Sequence, residues 1–257
     1  MEVLVCVKRV PGPGSTIVLT ADAQAVDTRH LGFTIGPHEE CAVEEAVRIV
    51  SERGGRVTAM TVGPAEAGDQ VRFAISMGAD RGVLVDVGEP EPDPEMTAEA
   101  LVQAIRNMES DGAPFDLILF GNESADAGNH QVGVRVAHAL ARPIVGGVKG
   151  IDLDDAPDGN VRLHCDRGEG VDVFQARMPA VAAVKEGLNL PRYPTMRGRL
   201  RAAKAELQPQ AADVGAGGLR KTGLRHPPAE EVPTVILGHG AEAAGPVVDV
   251  FEELGVV

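Results

Sequence analysis

The sequence predicts an α/β protein in which a doubly wound, mostly parallel sheet lies between two layers of helices, with added β-strands and an extended C-terminal arm. Three features lead to that reading. Short runs such as EVLVCVKRV, RVTAMTVG and DLILF are apolar nearly throughout, as strands buried on both faces are. Helical segments separate the early strands one by one, which is the pattern of βαβ units. Aromatic residues make up only 3% of the chain with no Trp, so a core within its 44% hydrophobic content has to be built from Val, Ala, Leu and Ile. The 257 residues divide into an α/β domain over 1–207 and an arm with a last helix over 208–257.

Taken in order, residues 2–10 form the first central strand, and Thr16 to Thr20 a short extra one after a Pro/Gly loop. HEECAVEEAVRIVSERGG sets Ala42, Val43, Ala46, Val47 and Val50 on one helical face, carries acids in its first turns and stops at Gly54 and Gly55. A strand follows at RVTAMTVG, then a helix around Glu66 to Met77, the strand GVLVDV, a Pro- and Glu-rich loop, a helix around Thr97 to Glu109, and the strand Leu117 to Phe120. After Pro143 four β-like runs come without helices between them, which predicts antiparallel strands added to the sheet or an attached β-element. RYPTMRGRLRAAKAEL is a basic helix or loop. From Gln208 to about Pro233 the chain is rich in Gly, Ala and Pro and reads as an extended arm, followed by a short strand and the helix PVVDVFEELG.

A formal charge of −14, from 38 acidic and 24 basic residues, argues against nucleic acid or an anionic membrane as the partner. No apolar run reaches the roughly 18 residues of a membrane-spanning helix, and the N-terminus lacks the pattern of a signal peptide. Cys6, Cys41 and Cys165 are an odd number at wide spacing, which suggests neither a disulfide framework nor a zinc site and fits a cytoplasmic, reducing setting. The histidines show no metal-ligand spacing, and no G-x-S-x-G or G-x-x-x-x-G-K-[ST] motif occurs. The expectation is a protein with no catalytic residues and no metal. GHGAEA at 238–243 fits a dinucleotide fingerprint in letters, but no βα unit follows it.

The residues that ask for a ligand are in DLILFGNESADAGNHQVG. In open parallel sheets, ligands settle beyond the carboxyl ends of the strands where strand order reverses, and the loop after Phe120 lies at such an end, as does KRVPGPG after the first strand. Gly121 permits close backbone approach. Gly128 and Gly133 let a helix beginning near Gly128 aim free N–H groups at an anion. Asp126, Asn129 and Gln131 can bond a ribose or a base, although Asp126 or Asn129 could equally cap the helix. The other unusual segment, EGLNLPRYPTMRGRLRAAK, combines a stiff Pro191–Pro194 stretch, contact-prone Arg192 and Tyr193, an exposed Met196, and Arg197, Arg199, Arg201 and Lys204. It reads as a docking element on an acidic protein.

Five segments, VLVCVKRV, CAVEEAVRI, GADRGVLV, DLILFGNESADAGNHQVG and NLPRYPTMRGRLRAAK, occur in an order and spacing that resemble the β subunit of electron-transfer flavoproteins. The likeness covers nearly the whole chain, more loosely after about Ala212. It implies the adenine-nucleotide-binding, Rossmann-like form of the three-layer fold, and a heterodimer with an α subunit that holds FAD and carries electrons from dehydrogenases to an acceptor. Carried over by position, the β-subunit nucleotide site falls on Cys6, on Gly36, Pro37, His38 and Glu39, on Val62, and on Gly121, Asn122, Glu123, Ser124, Ala125, Asp126, Ala127, Gly128, Asn129, His130, Gln131 and Val132. The ligand there would be AMP, or a second FAD in electron-bifurcating members. Pro191, Arg192, Tyr193 and Met196 match the loop that grips partner dehydrogenases, with Met196 as apolar anchor. Three positions depart from the usual pattern. Gly128 stands where a second acid usually follows the Asp126 position, Gly36 where Asn is frequent, and Pro13 where some members place an aromatic near the flavin. A stand-alone nucleotide-binding enzyme or sensor of the same fold would need a phosphate-gripping glycine loop and a catalytic group, and the sequence contains neither; the third reading is a purely structural β subunit with an empty pocket.

Overall fold

The structure is a computed structural model in which residues 1–88, 92–153, 159–228 and 234–256 are described. The centre of the Pro- and Glu-rich loop and the far end of the Gly/Ala/Pro-rich arm lie outside the described residues. Two compact units divide the chain at Met1–Thr222 and Gly223–Val257.

In the first unit β1 (Glu2–Cys6) is followed by the two-residue strands β2 (Val10–Pro11) and β3 (Phe33–Thr34), then by α1 (Pro37–Arg53), β4 (Arg56–Val62), α2 (Gly68–Met77), β5 (Arg81–Asp86) and α3 (Pro94–Asp111). Next come β6 (Leu117–Gly121), α4 (Val132–Ala139), β7 (Ile144–Asp152), β8 (Asn160–Asp166), β9 (Val171–Arg177), β10 (Ala180–Val184), α5 (Met196–Ala203) and β11 (Gln208–Ala211). Among the described residues the main sheet has nine strands in the order β11-β5-β4-β1-β6-β10-β7-β8-β9. Every pairing from β11 to β7 is parallel, and only β7–β8 and β8–β9 are antiparallel.

The alternation along β1 shows why its strands read as continuous apolar runs. Val3 and Val5 join one core cluster with residues of α1 and α2, while Leu4 and Cys6 join a second with residues of α3 and α4. Both faces are covered, so both side-chain sets must be apolar. Helix α1 stops where Gly54 takes φ 74° and its N–H bonds to the Val50 carbonyl. Asp93 caps α3 by accepting from the N–H groups of Glu95 and Met96.

Four elements differ from the sequence-based expectation. β10 is not an antiparallel addition but a fully buried parallel strand inserted between β6 and β7. Its sequence AVAAV carries no mark of where it pairs. Residues 16–20 form no strand, and Leu19 makes only an isolated bridge to Val26. Residues 234–237 are likewise not a strand. Gln208–Ala211, in the stretch read as arm, pairs parallel with β5 as the sheet's edge, where Pro209 is tolerated. The chain beyond it runs along α3, with Asp213 N–H donating to Gln103, Gly215 N–H to Glu99 and Leu219 N–H to Asp93.

In the second unit a single turn of 3₁₀ helix at Gly240–Ala243 leads into α6 (Ala244–Glu253), and none of its described residues is buried. No helix among the described residues is long and apolar enough to cross a membrane.

Candidate functional site

The chain passes from β1 to β4 and β5 on one side of the sheet, then returns to place β6 on the other side of β1. The loops that follow β1 and β6 therefore diverge at the carboxyl ends of these strands, the place where a doubly wound sheet forms its crevice. At its floor Cys6 stands in register with Met60 on β4 and Phe120 on β6. Burial pushes the Cys6 thiol well up, so it is neutral and chemically quiet. Across the opening, Lys8 from the first loop meets Asp126 from the second, with Nζ 2.6 Å from Oδ2. Although burial raises the Asp126 carboxyl, the hydrogen bond and charge of Lys8 outweigh it and hold the group below its ordinary value.

Glu39, in the first turn of α1, is only 3% exposed. Its Oε2 has no hydrogen-bond partner. Glycines flank this carboxyl on both sides: a Cβ at Gly36 would overlap Oε2, and one at Gly121 would stand 2.9 Å from Cδ, so either would make the carboxyl shift. Burial lifts its pKa to about 7, aided by the negative charge of Asp126 and opposed by backbone hydrogen bonds to the carboxyl and by Lys8.

Around this pocket the polar loop is tied to its surroundings. Asn122 accepts from Gly147 N–H at 2.8 Å, and its own N–H donates to the Val184 carbonyl, fixing the loop's base to β7 and β10. His130, at φ 55° in the left-handed region, directs Nε2 at Glu123, 2.6 Å away, while its Nδ1 lies 3.4 Å from the Asn122 amide. His38 approaches the same carboxylate with Nε2 at 3.6 Å. Its Nδ1 accepts from the Glu186 N–H at 2.7 Å, so the ring proton is on the nitrogen that faces Glu123. Val62, at the end of β4, packs partly buried against the α3 and α4 side of the core.

Two details of the sequence-based reading are corrected. The helix after the loop begins at Val132, not near Gly128. Gly128 instead takes φ 55° within the loop, and its N–H bonds to the Ser124 carbonyl. Neither Asp126 nor Asn129 is the N-cap: that position is Gln131, which makes no side-chain cap bond, so the first turn of α4 keeps N–H groups without a side-chain acceptor. Gly133 serves packing, because a Cβ there would press on the Phe120 ring at 3.3 Å. Lys8 was not singled out from sequence, although a lysine directly after the central strand was the available signal. Among the described residues no group of three or more His, Cys, Asp or Glu could hold a metal.

Several large apolar side chains of the segment from Glu186 to Ala203 are exposed. Leu190 is 91% exposed, Tyr193 83% and Met196 73%. Thr195 caps α5 by accepting from Gly198 N–H at 3.0 Å, and Arg199 lies over the Tyr193 ring. Arg201 differs from its basic neighbours. It donates to the carbonyls of Ile75 and Ala79 at the C-terminus of α2 and so fixes α5 from behind.

The fold defines a doubly wound α/β protein, with Lys8 and Asp126 joined beyond the carboxyl ends of β1 and β6 at the switch point of its sheet. A profile of the electron transfer flavoprotein domain matches residues 25–214. Over 228 residues, 85% of this chain and 86% of the relative, the chain is 31% identical to the electron transfer flavoprotein subunit beta of Bacillus subtilis (strain 168). It is 33% identical to Protein FixA of Azorhizobium caulinodans over 89% of the chain and 82% of that protein. It is 32% identical to the electron transfer flavoprotein subunit beta of Syntrophomonas wolfei over 90% and 87%. The chain belongs to the electron-transfer flavoprotein family, as a β-subunit-type member.

Proposed function

We propose that this chain is the structural β subunit of a cytoplasmic heterodimeric electron-transfer flavoprotein, holding an adenine nucleotide in the β1–β6 crevice and supporting an α subunit that carries the redox-active FAD. The observation that carries the reading is the Lys8–Asp126 pair beyond the ends of β1 and β6, in a chain 31% and 32% identical to two named β subunits.

The residues fit such a ligand. The uncapped first turn of α4 offers N–H groups to a phosphate, with Lys8 as the nearby cation. The partnerless, buried Oε2 of Glu39 is an atom that a ligand hydroxyl would satisfy. Cys6 and Val62 supply apolar strand ends for a purine, and Asn129 and Gln131 stand at the rim. AMP has no redox-active ring, so when bound it contributes rigidity rather than electrons. The residues of this chain bind and orient it, and Glu123, clasped by His130 and approached by His38, keeps the loop folded over the crevice.

The exposed Leu190, Tyr193 and Met196 meet a dehydrogenase in a transient encounter, with Met196 as the apolar anchor. The unit from Gly223 packs on the α subunit. That role is supported by the exposed Val235, Ile236, Val248, Phe251 and Leu254, an apolar set with no buried member. The test is flavin content per purified heterodimer together with nucleotide released on denaturation. One FAD and one AMP are expected. Two FAD would show that the crevice holds flavin and that the complex is of the electron-bifurcating kind, and no adenine nucleotide beyond a single FAD would refute the site.

A further inference from the structure

The exposed segment from Glu186 to Ala203 has an arrangement beneath it that its own sequence does not reveal. Glu44 sits in the middle of α1 and is 6% exposed, a burial that a carboxylate tolerates only when fully paired. Its partner is Arg192. The guanidinium grips the carboxylate with both prongs, Nε to Oε2 at 2.7 Å and Nη2 to Oε1 at 2.9 Å, and the Arg192 backbone N–H adds a third bond to Oε2 at 3.0 Å. Burial raises the Glu44 carboxyl, but these bonds and the charge of Arg192 overcome that and hold it below its ordinary value, while the pairing raises Arg192.

Two further ties come from the same side of the helix. The Asn189 amide donates to the Cys41 carbonyl at 3.1 Å and to Glu45 Oε2 at 2.9 Å, and Glu186 N–H donates to His38. His38, Cys41, Glu44 and Glu45 follow one another at helical spacing, so α1 presents a row of acceptors along which residues 186–192 are hung. The far end is held by Arg201 and by Gly198, where a Cβ would overlap the Ser76 carbonyl oxygen. Between these two anchorages the chain has only Tyr193, Pro194, Thr195, Met196 and Arg197, and Pro194 is buried.

We infer that Glu44 is a positioning residue for partner docking: by clamping Arg192 in three hydrogen bonds it fixes the arc that presents Leu190, Tyr193 and Met196, although Glu44 itself is buried away from the partner. The inference rests on the reading of this segment as the dehydrogenase-binding surface. The physical reason is entropy. An exposed apolar ridge that is already ordered binds without first losing chain freedom, whereas a slack one must be ordered at each encounter. Glu44 and Arg192 grip each other and none of the residues placed in the nucleotide site, so the clamp is expected to act on encounter rather than on the transfer step.

The experiment uses the intact heterodimer with four changes in this chain: Glu44→Ala, Arg192→Ala, the double variant, and Met196→Glu as a probe of the docking surface itself. Two readings are taken. One is amide hydrogen exchange over residues 186–197, and the other is steady-state reduction of the complex by a purified flavin-dependent dehydrogenase that turns over the wild type. Glu44→Ala is expected to speed exchange in that segment and to raise KM for the dehydrogenase on the order of tenfold, the cost of ordering a few residues on binding, with kcat and bound-nucleotide content unchanged. Since the two residues act as one unit, the double variant should have the same KM as Arg192→Ala. Wild-type exchange in Glu44→Ala, additive effects in the double variant, or a wild-type KM in Glu44→Ala when Met196→Glu raises it would each overturn the inference alone. A wild-type KM in both Glu44→Ala and Met196→Glu would overturn the docking reading and the inference with it. Should Glu44→Ala fail to fold, Glu44→Gln keeps the volume and loses the charge, and the same readings decide.

Discussion

Replacing Glu39 with Gln tests the electrostatics of the crevice in the nucleotide-free chain. The carboxyl is buried, carries an oxygen without a partner, and has its pKa lifted from 4.5 to about 7. A group whose folded pKa exceeds its unfolded value contributes stability that is fully present below the unfolded pKa and is lost as pH rises through the folded one. The window is therefore pH 4.5 to about 7. At ~1.4 kcal/mol per tenfold change in proton concentration, ionising Glu39 in place costs the folded chain roughly 3 kcal/mol by the top of that window, or roughly 6–12 °C in Tm for a domain of this size. The amide introduced by Glu39→Gln does not titrate, so whatever its packing adds is an offset independent of pH. Urea unfolding of wild type and variant across pH 4 to 8.5 should give stabilities whose difference is flat below the window, moves in favour of Glu39→Gln through it, and levels off above about 7. Parallel profiles would mean that Glu39 is solvated or already paired, and would refute the crevice as drawn.

Met196→Glu should leave flavin and nucleotide content unchanged and slow reduction by the dehydrogenase, because it places a charge where an apolar contact worth ~1.5–3 kcal/mol is expected. Stopped-flow rates equal to wild type at every dehydrogenase concentration would remove Met196 from the contact. Gly198→Ala should destabilise the chain by about 1–3 kcal/mol, because the added Cβ meets the Ser76 backbone rather than a movable side chain, so α5 must part from α2. A calorimetric Tm unchanged from wild type would show that the two helices are not packed this closely.

Much of the fold was legible from the sequence alone. Strands β1, β4, β5 and β6 and the helices between them follow from apolar runs and 3.6-residue periodicity, because each is covered by its immediate neighbours in the chain. The loop between β6 and α4 was legible as a loop, because its small and polar residues interrupt the apolar pattern of a buried strand and a helix. What the residues could not convey was pairing between distant parts. AVAAV becomes a central parallel strand only because β6 and β7 leave an unfilled position between them. Gln208–Ala211 becomes a strand only because β5 has a free edge. The same holds for charges. As letters, Glu39, Glu44 and Glu45 are one acidic helix, and Arg201 is one of several arginines in a basic stretch. The tertiary structure leaves one oxygen of Glu39 without a hydrogen-bond partner, gives Glu44 a fork of three bonds, and turns Arg201 inward onto the end of α2. Local sequence sets periodicity and turn chemistry because these depend on neighbours a few residues apart. The state of a buried charge depends on what the fold brings against it from more than a hundred residues away, and only the assembled chain decides that.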